Sequence, residues 1–358
     1  MSLMMDRDRV PTRWAADRNS HRRRRVELSS KPAECLRVAL VNNMPDSALE
    51  DTEVQFFGLL DAAAEDLPVH IDLYSLPNIP RGERAQQHLD RFYSGIENLW
   101  NSRFDGVIMT GAEPRKPDLR DEPYWSALTD VFDWAERNTS STILSCLAAH
   151  AGVLYADGVT RHAKADKLFG VFAESKARDH ALTHRAASAM PFPHSRWNEV
   201  RENDLTACGY VVLTKSAEAG VNLFAKKRSK SLFVHFQGHP EYGARTLLKE
   251  YRRDIVRFLR GERGTYPSMP QGYFDADSVR ALTAFRSAAL HDPREQRLAE
   301  FPEAAVADKL KHAWLSSATR IYRNWLKYMA ARKGDAPALA PPLARAARVS
   351  WTRSAKAV

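Results

Sequence analysis

Thr142-Ile143-Leu144-Ser145-Cys146 is a short apolar run with a branched centre, and the Ala-rich stretch Leu147 to Tyr155 follows it without a break. A buried strand that runs straight into a helix predicts one step of a parallel sheet. The steps on its amino side repeat the pattern. Leu36 to Val41 reads as a strand, and Leu49, Phe56, Leu59, Leu60 and Ala63 then share one helical face. Val69 to Tyr74 alternates as a strand, Arg84 to Trp100 has helical periodicity, and Phe104 to Met109 is the next buried strand, ending in Thr110-Gly111-Ala112. Pro123 suits a first helical turn, with Trp125, Leu128, Val131, Phe132 and Ala135 behind it at helical spacing. The expected class is α/β, a mostly parallel sheet with helices on both faces.

The second half changes style. Tyr210 to Leu213, Val221 to Phe224 and Leu232 to Phe236 are short strands at hairpin-like spacing, which predicts an antiparallel extension of the same sheet. Ala244 to Arg260 reads as a helix. Residues 261–303 carry several Gly and Pro and are expected to be an irregular insertion. From Ala304 to Ala331 a last helix is predicted, with Val306, Leu310, Trp314, Ile321, Trp325 and Tyr328 as a core-packing stripe. The expectation is one domain over 35–331, flanked by basic, unstructured segments at 1–34 and 332–358, the latter including the Ala/Pro-rich run from Ala336 to Ala347.

Charge supports that division. The 358 residues carry a formal net charge of +9. Residues 1–34 hold nine Lys/Arg and five Asp/Glu, and residues 332–358 hold six Lys/Arg and one Asp, so the ends account for the whole surplus. The body is close to neutral, and a nucleic-acid partner is not expected despite the run His21-Arg22-Arg23-Arg24-Arg25. The hydrophobic fraction of 44% excludes wholesale disorder. No run approaches the ~18 apolar residues of a membrane span, and no apolar segment behind the basic amino end suggests a secretory signal. Three cysteines, Cys35, Cys146 and Cys208, do not make a disulfide framework, and a reducing, cytoplasmic setting is expected.

Cys146 is the most informative of the three. It closes a strand at the carboxyl edge of the predicted sheet, where sites of open α/β folds form, and it opens a helix. Unpaired N–H groups at a helix start favour a thiolate and can hold an oxyanion. The alternative is a buried structural cysteine. Gly238-His239-Pro240-Glu241-Tyr242 follows the strand Leu232 to Phe236 and precedes a helix. A thiol nucleophile needs a base, and the base needs an orienting acceptor; His239 and Glu241 offer both. Other candidates are weaker. His180 and His184 are four apart but lack a third ligand, so no metal site is expected. His150 reads as a satisfied helix histidine, His235 as core or near-site, and Cys35 and Cys208 as structural. No Gly-x-Gly-x-x-Gly and no Gly-Lys-Ser/Thr loop is present, so no nucleotide cofactor is expected.

Several motifs, in order, carry a resemblance. They are Asn43-Met44-Pro45, Thr52-Glu53-Val54-Gln55-Phe56, Phe104 to Ala112, Tyr124-Trp125, Lys167-Leu168-Phe169-Gly170-Val171, Pro193-His194-Ser195-Arg196, Gly238 to Tyr242 and Asn324-Trp325-Leu326. Over Leu36 to Arg260, and again from His312 to Tyr328, the sequence resembles the homoserine O-acyltransferase family of methionine biosynthesis, of the homoserine O-succinyltransferase type. The resemblance implies a class I glutaminase-like (flavodoxin-like) fold and a ping-pong route through an acyl-thioester. It implies Cys146 as nucleophile, His239 as base, Glu241 as orienting acid, and backbone N–H groups of Leu147 and Ala112 as the oxyanion hole. Lys167, Ser195 and Arg253 fall at substrate-binding positions. The substrates implied are succinyl-CoA or acetyl-CoA and L-homoserine, with no cofactor beyond the acyl-CoA substrate, and the family tends toward homodimers.

The chain departs from the family in places. Asp46-Ser47 stands where basic residues usually follow Asn-Met-Pro, and Glu113-Pro114-Arg115-Lys116-Pro117 replaces the usual loop, with Arg115 at the position that correlates with donor choice. Arg115 or Lys116 could pair with a succinyl carboxylate, which favours succinyl-CoA; an Arg115 turned to solvent or to CoA phosphates would say nothing about the acyl chain. Alternatives are an acetyl donor, a glutaminase or thioesterase on the same scaffold, and a non-catalytic binding module.

Overall fold

Residues Ser141–Ser145 are buried along their whole length, as a strand covered by helices on both faces must be. The computed structural model describes residues 3–6, 9–14 and 35–333. Among these, the strands are β1 (Leu3–Met4), β2 (Leu36–Val41), β3 (Val69–Tyr74), β4 (Gly106–Met109), β5 (Ser141–Ser145), β6 (His162–Lys176), β7 (Ala189–Glu199), β8 (Val211–Ser216), β9 (Gly220–Arg228) and β10 (Ser231–Phe236). They form one sheet in the order β1-β3-β2-β4-β5-β10-β9-β8-β6-β7. Neighbours from β1 to β10 in that order are parallel. The remainder, from β10 to β7, is antiparallel. The expected α/β class, its parallel sheet and its antiparallel extension are all present.

Alternation along β2 divides the core. Val38 and Leu40 face one side with Phe56, Leu60 and Trp325. Ala39 and Val41 face the other with Leu128, Phe132 and Trp134. Successive strand residues point to opposite faces, so one six-residue strand feeds both layers. Trp134, Trp314, Trp325 and Phe56 are fully buried, and each large apolar side chain taken out of water stabilises the fold by roughly 1.5–3 kcal/mol. The aromatic stripe of the last helix is therefore spent on the chain's own core.

Several boundaries differ from expectation, each for a local reason. The predicted Arg84–Trp100 helix is two, Glu83–Phe92 and Glu97–Trp100. Tyr93 between them is extended and sends its hydroxyl to Glu53 at 2.6 Å. The last helix starts at Leu315, with Glu303–Ala307 a separate short helix. Just before it, Trp314 donates its indole N–H to the Tyr242 carbonyl at 2.7 Å, holding that approach against the site. The supposed irregular insertion contains a 16-residue helix, Ala276–His291, started by the Asp275 carboxylate accepting the Ser278 N–H at 2.8 Å. Strands β6 and β7 were not anticipated. Pro191 and Pro193 argue against a central strand, but β7 is the edge of the sheet, where a missing N–H is tolerated.

The amino-terminal expectation is also corrected in part. Leu3–Met4 pairs in parallel with Val69 and His70, and Trp14 is buried edge-on to Phe57 at 5.5 Å. Leu3–Met4 thereby extends the sheet beyond β3, and Trp14 packs on the helix Asp46–Ala64. The basic run at 21–25 and the Ala/Pro-rich run at 336–347 lie outside the described residues.

Candidate active site

The site is a product of register. Phe236 of β10 stands opposite Ser145 of β5, so the two adjacent parallel strands end together. The Cys146 N–H then donates to the Phe236 carbonyl at 2.8 Å, and both chains turn at the carboxyl edge of the sheet. Cys146 itself has φ 51 and ψ −110. A non-glycine residue held there costs about 1–3 kcal/mol, and the turn projects a partly exposed side chain from the start of the helix Leu147–Asp157.

His239 is buried and within hydrogen-bond reach of the Cys146 thiol. Its Nδ1–H donates to Glu241 Oε1 at 2.9 Å, which leaves Nε2 for the sulfur. Burial alone would push the imidazole down, but the charges of Cys146 and Glu241 outweigh it and hold the pKa well above 6.5. The Tyr242 ring stacks on the imidazole at 4.1 Å, and Ser145 Oγ donates to Glu241 at 3.3 Å. The structure brings Cys146, His239 and Glu241 together as a chain of proton partners.

The backbone of the His239 turn is anchored from behind. The His239 N–H donates to the Pro193 carbonyl at 2.9 Å, and the Gly238 N–H to Asn222 Oδ1 at 2.7 Å. A Cβ on Gly238 would meet Pro193 O at 2.8 Å and His194 at 2.9 Å, so glycine is required by close approach. Asn222 in turn donates to Glu174 Oε2 at 3.0 Å, which also accepts from Thr214 at 2.6 Å. His194 Nε2 lies 2.9 Å from Glu174 Oε1. Burial raises Glu174 to about 8 against the pull of Thr214 and Asn222, and burial lowers His194 well below 6.5. Together these buried contacts hold the backbone of the His239 turn from behind.

On the other side of Cys146, Leu147 supplies a first-turn N–H, a group without an intrahelical partner. Gly111 presses against it: a Cβ there would meet Leu147 Cβ at 2.6 Å and Leu147 N at 3.1 Å. Ala112 follows in the same loop. Asn43 fastens that loop, its N–H on Thr110 Oγ1 at 2.8 Å and its Nδ2 on the Thr110 carbonyl at 3.2 Å.

Lys167, Ser195 and Arg253 also converge, on a residue that sequence reasoning missed. Ser195 Oγ donates to Glu250 Oε2 at 2.5 Å. Lys167 Nζ reaches the same oxygen and Asp254 Oδ2, each at 3.2 Å. Arg253 lies 3.1 Å from Asp254 and 3.7 Å from Glu250, with 45% of its side chain exposed. Tyr242, stacked on His239, donates its hydroxyl to Glu250 Oε1 at 2.6 Å. Burial would raise the Glu250 carboxyl, but Lys167, Ser195, Tyr242 and Arg253 hold it below 4.5. Glu250 lies one helical turn before Asp254, and that i, i+4 pair of acids beside a catalytic-type turn was the available signal. The Arg115 side chain is exposed, while its backbone N–H and that of Lys116 are engaged by Glu122 Oε1 at 2.5 and 2.7 Å.

The remaining histidines have local roles. His150 is bonded to Gln237 at 3.0 Å, and His235 stacks on Phe224 at 4.7 Å. His180 caps a turn through the Leu182 N–H. Asp6, His70 and Asp72 are grouped as metal ligands can be, but at the β1–β3 edge, with Asp72 paired to Arg37 at 2.7 Å.

The sequence matches the family model for homoserine O-succinyltransferase over residues 22–335. A homoserine O-succinyltransferase of Rhodopseudomonas palustris is 44% identical over 297 residues, covering 83% of this chain and 89% of that protein. That of Bradyrhizobium japonicum is 44% identical over 334 residues, covering 92% and 99%. The chain belongs to the homoserine O-succinyltransferase family. This is a family of acyltransferases. Two of the motifs quoted above act as fasteners. Glu53 holds Tyr93 and His88, Asn324 holds the carbonyls of Leu182 and His184, and Trp325 donates to Ser141 Oγ. Among solved structures the chain is similar to a glutamine amidotransferase of Thermotoga maritima, with 12% identity, a TM-score of 0.42, and coverage of 82% of this chain and 97% of that one. It is likewise similar to a glutamine amidotransferase of Methylobacillus flagellatus, with 14% identity and a TM-score of 0.44, over 82% and 95%. No helix among the described residues is long and apolar enough to cross a membrane.

Proposed function

We propose that Cys146 carries a succinyl group as a thioester between succinyl-CoA and the hydroxyl of L-homoserine, the transfer that gives the family its name and that serves methionine biosynthesis. The observation that carries this reading is the partly exposed Cys146 sulfur paired with His239, which Glu241 orients.

In the first half-reaction the Cys146 thiolate attacks the thioester carbonyl. The resulting oxyanion is met by the N–H groups of Leu147 and Ala112, each such donor contributing about 3–4 kcal/mol. The carbon–sulfur bond to CoA breaks, and the CoA thiolate takes the proton from the His239 imidazolium. One thioester replaces another, so the step costs little. The Cys146 charge is then gone. With it goes the largest influence that raises His239, and the imidazole, having given its proton to CoA, is left neutral and basic. In the second half-reaction neutral His239 takes the homoserine hydroxyl proton as that oxygen attacks the acyl carbon. Collapse releases O-succinylhomoserine and restores the thiolate–imidazolium pair.

Homoserine brings an ammonium and a carboxylate. Glu250 and Asp254 suit the first, and Lys167 with the half-open Arg253 suits the second. Tyr242 joins Glu250 to the His239 ring, so the amino-acid cradle and the base share one support. The scheme calls for no cofactor, the acyl-CoA being a substrate, and a free thiol nucleophile suits a reducing cytoplasm.

The test is to incubate the full chain with succinyl-CoA or acetyl-CoA alone and weigh the intact protein, then to run both donors against homoserine and serine. A succinyl adduct on Cys146 that homoserine discharges is the expected result. Succinyl transfer without any enzyme adduct would overturn the route.

A further inference from the structure

An open groove of about 710 Å³ lies where the end of β6, the turn after it and the last helix, Leu315–Ala330, meet. That is room enough for a small-molecule ligand. The groove sits at the opposite end of the sheet from Cys146. The last helix runs from Trp314, bonded to Tyr242 beside the active site, to Trp325, bonded to Ser141 at the start of β5. Tyr328 and Arg332, which line the groove, lie further along. On β6, Lys176 of the groove stands nine residues past Lys167 of the Glu250 cradle, roughly 30 Å of extended strand.

Its lining is cationic. Among the described residues Lys176, Arg185, Lys327 and Arg332 line it against one carboxylate, Asp179, and Asp179 is taken up by Lys176 at 2.7 Å. Arg332 gives one N–H to the Tyr328 carbonyl at 3.2 Å and lies 3.8 Å over the Tyr328 ring. Among the described residues neither it, nor Arg185, nor Lys327 makes an ion pair. The charges crowd one another: burial and the Arg332 charge together hold the nearby Lys227 ammonium below its usual range. The wall is also fixed in place. Asn324 donates to the Leu182 and His184 carbonyls at 2.9 and 2.8 Å, tying the turn to the helix. His180 Nδ1 accepts the Leu182 N–H at 3.2 Å, so in the neutral ring that burial favours Nε2 carries the proton and is a donor. Arg185 is held at φ 53, a strained conformation that persists only where its surroundings impose it.

We propose that this groove binds the phosphate chain of a small polyphosphate, such as a nucleoside triphosphate, at a site separate from the one that handles acyl-CoA. Guanidinium forks match phosphate oxygens two at a time, and ammonium groups add point charge. A single carboxylate would answer one of the cations. A chain of phosphates presents charge along its length to cations that come from β6, the turn and the end of the last helix. A concave wall of one sign also concentrates such an anion from solution. The chain's own carboxyl-terminal segment does not suit as occupant, because residues 332–358 hold six Lys/Arg and one Asp.

The experiment is equilibrium dialysis of the full chain against inorganic triphosphate and against ATP, without magnesium, each with and without saturating CoA. Both are expected to bind, and CoA is expected to leave their affinity unchanged. Arg185→Met combined with Lys327→Met is expected to weaken binding about 100-fold, roughly tenfold for each charge-assisted contact. Both side chains are exposed, so their loss leaves the core intact. Arg84→Met combined with Arg280→Met removes the same charge from side chains that are 90% and 72% exposed elsewhere, and is expected to change affinity by less than about twofold. ATP binding more tightly than triphosphate would support a nucleotide as the ligand, and equal binding would support recognition of the phosphate chain alone. An equal fall in the two double variants would overturn the proposal, because general attraction to a basic chain would then explain the binding. Unchanged binding in the Arg185 and Lys327 double variant would overturn it, as would displacement by CoA or a wild-type chain that binds neither probe.

Discussion

Ser195 Oγ and Glu250 Oε2 are 2.5 Å apart, a serine on an edge strand bonded to a glutamate on the helix after the His239 turn. That bond closes a loop of contacts from Lys167 through Glu250 to Tyr242 and the His239 ring. Glu250→Gln keeps the shape and removes the charge. It is expected to raise the homoserine KM on the order of 100-fold, while acylation by succinyl-CoA alone changes little. Because its partners hold the Glu250 carboxyl below 4.5, its stabilisation is present above that pH and lost as pH falls through the folded value. Homoserine KM in wild type is expected to climb on that acid limb, and steady-state kinetics against pH checks it.

The Cys146–His239 pair gives a pH prediction of opposite sign. The folded His239 binds its proton more tightly than an unfolded imidazole at 6.5. The protonated imidazole therefore contributes its stability fully below pH 6.5 and loses that contribution as pH rises through the folded value. Cys146→Ala removes the largest upward influence, so burial should bring His239 down. An NMR titration of the His239 ring in the two proteins measures this, and an unchanged ring would contradict the pairing.

Backbone strain at Cys146 separates function from stability. Cys146→Ala and Cys146→Gly both remove the sulfur and are expected to abolish transfer. At φ 51 only glycine is at ease, so Cys146→Gly should be more stable than Cys146→Ala by ~1 kcal/mol. Thermal denaturation of the two variants compares them directly.

Two glycines should respond in opposite ways to the same added methyl group. Gly238→Ala drives a Cβ into Pro193 O, His194 and Asn222 and shifts the His239 turn, with an expected loss in kcat of about 100-fold. Gly58, within the helix Asp46–Ala64, has nothing within 4 Å of an added Cβ, so Gly58→Ala should stabilise by about 0.5–1 kcal/mol with activity unchanged. Parallel kinetics and melting curves test both.

What the sequence disclosed, and what it withheld, follows from how far apart the interacting residues lie. The parallel half of the sheet was legible because each strand is a local apolar run and each helix a local period, as in Thr142–Cys146 and Leu147–Tyr155. Cys146 and His239 were legible because each ends such a run. The β6–β7 hairpin was not, since Pro191 and Pro193 are compatible with a strand only at an edge, and edges are a property of the assembled sheet. Glu250 was missed because its meaning comes from Ser195 and Lys167, each on a distant strand. The helix Ala276–His291 was legible in principle, with Asp275 as its cap, and was hidden by the glycines and prolines around it.

The indole N–H of Trp325 rests on Ser141 Oγ, 184 positions earlier, at the foot of the strand whose other end is Cys146. A growing chain leaving the ribosome therefore exposes its central strand long before the helix that covers it exists. Until about the last tenth of the described chain has emerged, the Ser141 end of that strand lacks its lid, and the nascent protein must be shielded from aggregation rather than trusted to finish domain by domain.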